Sequence, residues 1–86
     1  MAVIICADDD ASMQALYRVT LAHRGHDVRV VPDGEEALTA FAERPADIVI
    51  LDVNMRPMGG IETCSELRKR PESFNVPILF VSGADS

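Results

Sequence analysis

Four short apolar segments recur along the chain, and a stretch of helical periodicity separates each from the next. The apolar segments span residues 2–7, 28–31, 47–53 and 77–82. The first, third and fourth are rich in β-branched residues and nearly continuous, a pattern typical of strands buried on both faces of a parallel sheet. Arg29 interrupts the second segment, and this more alternating pattern favours an edge strand.

Three helices are predicted between these strands. The first carries apolar or small side chains at three- and four-residue steps and ends before Gly25: Met13, Leu16, Tyr17, Thr20 and Leu21. Asp33, with Glu36 three residues later, predicts a capped start for the second helix. Ile61, Cys64 and Leu67 mark the third helix, which Pro71 is predicted to end. Strand and helix in alternation predict an open α/β sheet.

Composition and charge narrow the class of protein. The chain has 86 residues, enough for one small domain, with 48% hydrophobic and 26% charged residues, which is typical of a globular fold. Its net charge of −6 opposes binding to nucleic acid or to an anionic membrane surface. Cys6 and Cys64 lie in apolar patterns without metal-ligand spacing, which indicates packed, reduced thiols in a cytoplasmic protein.

Acidic residues follow two of the predicted strands. Asp8, Asp9 and Asp10 come after the first strand, and Asp52 comes after the apolar run of the third. Ligands of open α/β sheets bind beyond the carboxyl ends of the strands. If these two strands are neighbours, three or four carboxylates converge there and repel one another. Such a cluster suits Mg²⁺, and a carboxylate in it can act as a nucleophile that forms an aspartyl-phosphate. For Asp10 alone, we favour a role as helix cap.

Together these motifs resemble the CheY-like receiver domain of two-component response regulators. The pair Asp8-Asp9 resembles the family's metal-binding acids, and Asp52 resembles its phosphoacceptor. Ser82 resembles the hydroxyl residue that contacts the phosphoryl group. The segment 54–60, Asn-Met-Arg-Pro-Met-Gly-Gly, resembles the loop that follows the phosphoacceptor. The resemblance extends over essentially the whole chain.

The resemblance implies an α/β, flavodoxin-like open parallel sheet with strand order 2-1-3-4 and three helices. It implies a Mg²⁺ ion held by Asp8, Asp9, Asp52 and the backbone carbonyl of Asn54. A sensor histidine kinase or a phosphotransfer protein would phosphorylate Asp52, with Ser82 as phosphoryl contact and switch. The Asn54 side chain would face the water that attacks during dephosphorylation. On this interpretation the chain is a cytoplasmic signalling protein, with no membrane or nucleic-acid contact, and acts only on its own aspartate.

The resemblance also implies elements that the 86 residues do not contain. Residues 1–86 would form a single receiver domain without the family's fourth helix, fifth strand and fifth helix, and without the lysine that ends the fifth strand. The only lysine, Lys69, is predicted at the opposite pole of the sheet. The fourth strand would then be an exposed apolar edge, which predicts a homodimer through that edge or through exchanged elements.

Three functions remain open from the sequence. The first is a phosphoacceptor in two-component signalling. The second is a truncated receiver that serves as an interaction or oligomerisation module without relaying a signal. The third is a Mg²⁺-dependent phosphohydrolase with an aspartate nucleophile, which ranks last because Asn54 stands where that class usually has a second acid.

Overall fold

The β-branched segments form four parallel strands in the computed structural model, which describes residues 1–82. The strands are β1 (Val3–Ala7), β2 (Asp27–Val31), β3 (Ile48–Asp52) and β4 (Ile78–Val81). They form one sheet in the order β2-β1-β3-β4, and every neighbouring pair is parallel. The predicted order 2-1-3-4 and the edge position of the second strand are therefore confirmed.

Three α-helices connect the strands, as predicted. They are α1 (Ala11–His23), α2 (Gly34–Glu43) and α3 (Gly60–Leu67). The Asp33 carboxylate accepts a hydrogen bond from the backbone N–H of Glu36 at 2.9 Å, which confirms the predicted start of α2. The third helix ends at Leu67 rather than at Pro71, which instead opens a short 3₁₀ helix, where a missing N–H costs little. Within residues 1–82, no helix is long and apolar enough to cross a membrane.

The two faces of the sheet are covered unequally. On one face, α2 and α3 enclose the larger core, which includes Ile5, Phe41, Val49, Leu51 and Leu67, each at most 1% exposed. On the other face, α1 covers a smaller cluster built around Ile4, Cys6 and Tyr17. Successive residues of β1 alternate between the two clusters because side chains of a strand point to opposite faces. Apolar burial therefore holds the sheet mainly from the α2–α3 side.

The face beside α1 remains partly open near β3 and β4. A groove of about 280 Å³ lies there, lined by Leu16, Tyr17, Thr20, Leu21 and Ile50. Leu79 of β4 pairs in register with Ile50, so the two side chains share this face, and Leu79 is 53% exposed. The prediction that the fourth strand is buried on both faces is wrong for this chain. Within residues 1–82, β4 is instead an edge strand with exposed apolar side chains, as the resemblance implied.

The loop between β3 and α3 folds back closely onto its own strand. The backbone N–H of Gly60 donates to the carbonyl oxygen of Val53 at 3.2 Å. A Cβ atom at Gly60 would lie 2.5 Å from the backbone oxygen of Asp52, closer than van der Waals contact allows. Glycine is therefore required at this position, and the close approach fixes the start of α3 against the end of β3.

We expect Gly60→Ala to destabilise the fold by about 1 to 3 kcal/mol, because the new methyl group must displace the backbone at Asp52. Urea denaturation followed by circular dichroism measures this loss. Ser65→Ala is the matched control, because Ser65 is exposed on the same helix and gains helix propensity without a clash. Equal stability of Gly60→Ala and the wild-type chain would contradict the close packing described above.

Candidate acidic site at the carboxyl ends of the central strands

The two central strands bring the acidic residues together. Ala7 of β1 pairs in register with Leu51 of β3, so the next residues along the two strands, Asp8 and Asp52, lie side by side. Carboxylate oxygens of Asp8, Asp9 and Asp52 lie within 4.8 Å of one another. The convergence predicted from the sequence is therefore confirmed for these three residues.

The three acids differ in their surroundings. Asp8 is 2% exposed and Asp52 is 9% exposed, whereas Asp9 is exposed to solvent. One Asp8 carboxylate oxygen accepts the backbone N–H of Asp10 at 2.9 Å, and one Asp52 oxygen accepts the backbone N–H of Asn54 at 3.1 Å. Backbone amides thus orient the two buried carboxylates and leave the other oxygen of each for further ligands.

Among the described residues, no basic side chain forms an ion pair with the acidic cluster. Burial raises the pKa of Asp8 above its ordinary value, the Asp10 N–H opposes this, and the charges of Asp52 and Asp9 add to the rise. The ion pairs found within residues 1–82 all lie elsewhere, between Arg29 and Glu43, Arg44 and Asp27, and Lys69 and Glu66. A set of oxygen ligands with excess negative charge and one solvent-exposed member fits a hard divalent cation such as Mg²⁺.

Asp10 is the fourth acid of the predicted group, and it has a different role. Its carboxylate accepts the backbone N–H of Ser12 at 3.3 Å, and it is the N-cap of α1. Within residues 1–82, the group of acids close enough to share a metal contains Asp8, Asp9 and Asp52 but not Asp10. The preference for a capping role is therefore confirmed.

Two further predicted site residues lie at the same edge of the sheet. Asn54 is exposed and follows Asp52 by two residues, and its backbone N–H contacts the Asp52 carboxylate. Ser82 follows Val81, the residue of β4 that pairs in register with Asp52. Lys69, by contrast, comes after the end of α3, the helix that starts at the site. Its Nζ donates to Glu66 at 2.9 Å, and Lys69 borders a cavity of about 330 Å³ that is not lined by any residue of the acidic cluster.

Sequence reasoning missed two side chains of α1 that bear on the site. Gln14 Nε2 donates to the backbone carbonyl oxygen of Asp8 at 2.7 Å. Tyr17 is 9% exposed, and its buried hydroxyl has no hydrogen-bond partner within residues 1–82. Burial, followed by the charge of Asp8, raises the pKa of Tyr17 to about 12. The three-residue spacing places both on one face of α1, but helical periodicity does not reveal which face meets the acids.

The cysteines take no part in the acidic cluster. Cys6 is fully buried under α1, where burial, and then the charge of Asp8, raises the pKa of its thiol to about 12. A thiol with so high a pKa is unreactive at neutral pH because the thiolate is the nucleophile. Cys64 is half-buried, and both residues are free thiols, as predicted.

Comparison with known proteins places this chain in a family. The family described as response regulator receiver domain matches residues 4–86. The alkaline phosphatase synthesis transcriptional regulatory protein PhoP of Bacillus subtilis (strain 168) is 37% identical over 82 residues, which cover 95% of this chain and 33% of PhoP. The chain therefore spans about a third of the length of the curated relatives that it matches.

Solved structures share the same architecture. The chemotaxis response regulator CheY4 of Vibrio cholerae has a TM-score of 0.90 and 34% identity, over 93% of this chain and 67% of CheY4. The receiver domain of the sensor histidine kinase PA1611 from Pseudomonas aeruginosa PAO1 has a TM-score of 0.87 and 23% identity, over 92% of this chain and 65% of that domain. The latter structure holds a magnesium ion coordinated in its active site cleft.

We expect Asp8→Asn to stabilise the metal-free chain at pH 7, because it removes a buried charge from the cluster. Two like unit charges about 4 Å apart repel by about 1 kcal/mol in bulk water and by about 4 kcal/mol near a protein surface. The free energy of unfolding should therefore rise by at most about 4 kcal/mol. Asn retains the oxygen that accepts the Asp10 N–H. Asp9→Asn is the control, because Asp9 is exposed and the loss of its charge should stabilise the chain less.

The same variant gives a pH test. The pKa of Asp8 is higher in the folded chain than in the unfolded chain. Between these two pKa values the folded chain binds more protons, so the free-energy cost of ionised Asp8 disappears as the pH falls through that window. The advantage of Asp8→Asn, measured by urea denaturation, should therefore shrink on acidification. An advantage that stays constant between pH 7 and pH 4 would contradict the raised pKa.

Proposed function

This chain belongs to the response regulator receiver domain family, and we propose that Asp52 is its phosphoacceptor in two-component signalling, with residues 1–86 acting as one receiver unit. The observation that carries the proposal is the cluster of Asp8, Asp9 and Asp52 carboxylates within 4.8 Å at the carboxyl ends of β1 and β3. Open α/β sheets bind their ligands at this edge. Asp52 is the member that ends a strand, and the Gly60 N–H bonds to Val53, the residue that follows it.

The metal of this site is proposed to be Mg²⁺. Carboxylate oxygens of Asp8, Asp9 and Asp52 and the backbone carbonyl oxygen of Asn54 would hold it. When bound, Mg²⁺ offsets the charge of the carboxylates and of the phosphoryl oxygens. The magnesium ion in the Pseudomonas receiver domain, which has the same fold, supports this choice of metal.

The proposed reaction is transfer from a phosphohistidine of a sensor histidine kinase or phosphotransfer protein. An oxygen of Asp52 forms the new P–O bond while the P–N bond of the donor breaks, and the imidazole nitrogen keeps the electron pair. Ser82 donates a hydrogen bond to a phosphoryl oxygen, and the Asn54 side chain faces the water that later hydrolyses the aspartyl-phosphate. The chain acts only on its own aspartate. We place the reaction in the cytoplasm, where free thiols such as Cys6 and Cys64 persist.

We expect acetyl phosphate with Mg²⁺ to add one phosphoryl group to the wild-type chain and none to Asp52→Asn. Intact-mass spectrometry detects the adduct, and beryllofluoride provides a second, non-covalent probe of the same site. Asp27→Asn is the matched control, because Asp27 begins β2 at the other end of the sheet and pairs with Arg44. Omitting Mg²⁺ should remove or strongly slow the reaction.

Each other outcome has a distinct meaning. Binding of Mg²⁺ without any adduct on Asp52 would refute the phosphoacceptor proposal and favour an interaction module that relays no signal. Phosphorylation of Asp52→Asn would show that another residue is the acceptor. Steady turnover of phosphate esters would favour the phosphohydrolase instead.

A second proposal concerns assembly of this chain with itself. Within residues 1–82, β4 is an edge strand of the sheet, and its Leu79 and Phe80 side chains are 53% and 44% exposed. Exposed apolar edges pair readily with another strand. The open groove beside Ile50 lies on the same face as Leu79. We propose that two copies associate as a homodimer through their β4 edges or by exchanging elements at this edge.

We expect the 86-residue chain to behave as a dimer in sedimentation velocity at micromolar concentration. Leu79→Lys should shift it to monomer, because a charged side chain at the edge opposes strand pairing. Val19→Lys is the matched control, because Val19 is 70% exposed on α1, away from the edge strand. A monomeric wild-type chain at these concentrations would refute the dimer and leave the phosphoacceptor proposal intact.

A further inference from the structure

The geometry points to Gln14 as a positioning residue of the acidic site: we infer that its side chain holds the turn of Asp8, Asp9 and Asp10 in the arrangement that binds Mg²⁺. The inference rests on the proposed function, since it concerns the same metal. Gln14 does not belong to the cluster of acids. It acts on the cluster through the backbone of Asp8.

The turn between β1 and α1 is fixed at three polar groups of Asp8. The Asp8 N–H donates to the carbonyl oxygen of Val31 at 3.1 Å, which anchors the turn to β2. One Asp8 carboxylate oxygen accepts the Asp10 N–H at 2.9 Å, which closes the turn on itself. The Asp8 carbonyl oxygen accepts Gln14 Nε2 at 2.7 Å. Of these three bonds, only the last joins the turn to a side chain of α1.

The position of Gln14 on its helix explains why it reaches the turn. The Gln14 backbone N–H donates to the carbonyl oxygen of Asp10 at 3.0 Å, so Gln14 lies directly above the turn in the first full turn of α1. Its side chain is half-buried. Because α1 is capped by Asp10 and packed on the sheet through Tyr17, the amide of Gln14 links the acidic turn to a fixed support.

The chemistry of the side chain also suits the site. A neutral amide donates a hydrogen bond without adding charge beside the three carboxylates, whereas a glutamate would add repulsion. Metal sites depend on such outer contacts because the ligands must be held within a narrow range of positions. Without the Gln14 bond, the Asp8 carbonyl loses its contact with α1, and the turn can rotate Asp8 and Asp9 away from Asp52.

The decisive variant is Gln14→Met, which keeps the length of the side chain and removes the donor. We expect its dissociation constant for Mg²⁺, measured by isothermal titration calorimetry, to rise about tenfold, the lower end of the effect of outer-shell partners. Thr39→Ala is the matched control, because it also removes one hydrogen bond from a side chain to a backbone carbonyl. That bond runs from Thr39 Oγ1 to Glu35 on the exposed side of α2.

A second readout separates positioning from a general loss of stability. In the metal-free chain, amide hydrogen exchange at Asp10 should accelerate in Gln14→Met, while exchange in the rest of α1 and the melting temperature should match those of Thr39→Ala. If the wild-type chain binds Mg²⁺ and Gln14→Met binds it equally well, the inference about Gln14 is overturned and the proposed function stands. If the wild-type chain binds no Mg²⁺, the proposed metal site fails and the inference fails with it.

Discussion

Mutual repulsion among Asp8, Asp9 and Asp52 is the constraint on which the rest of this structure depends. Parallel pairing of β1 with β3 brings the two strand ends to one edge of the sheet, and this pairing places the acids close together. Hydrogen bonds from backbone N–H groups hold two of these carboxylates in place against their mutual repulsion. The N–H of Asp10 binds Asp8, the N–H of Asn54 binds Asp52, and the close approach of Gly60 fixes the end of β3.

The helices bury one face of the sheet more completely than the other. The larger core, between the sheet and the helices α2 and α3, contains Phe41 and Leu51 and secures the strand that carries Asp52. The smaller cluster under α1 leaves Leu16, Val19 and Leu79 exposed on the opposite face. Asp8 follows Cys6 by two residues and Asp52 follows Ile50 by two, so strand alternation directs both acids to the α1 side of the sheet, where Leu79 is also exposed.

Helix α1 connects these two regions of the molecule. Gln14 contacts the acidic turn, and Tyr17 packs on the sheet and lines the open groove together with Leu16. Val19 is exposed. A single rigid helix thus contacts the site through one side and solvent through the other. Any contact that moved α1 would move the support of Asp8 as well, since a helix shifts as a unit.

The sequence by itself determined the four strands and the helix starts at Asp10 and Asp33, because periodicity and capping are local. The strand order came from the resemblance to receiver domains. Once β1 lies beside β3, the meeting of Asp8, Asp9 and Asp52 follows, because parallel strands end at one edge. Tertiary structure alone decided the rest. The end of α3 at Leu67 and the contact from Gln14 to Asp8 depend on which surfaces pack together. Local patterns carry no record of such contacts, since the same apolar segment is buried or exposed according to its neighbours in space.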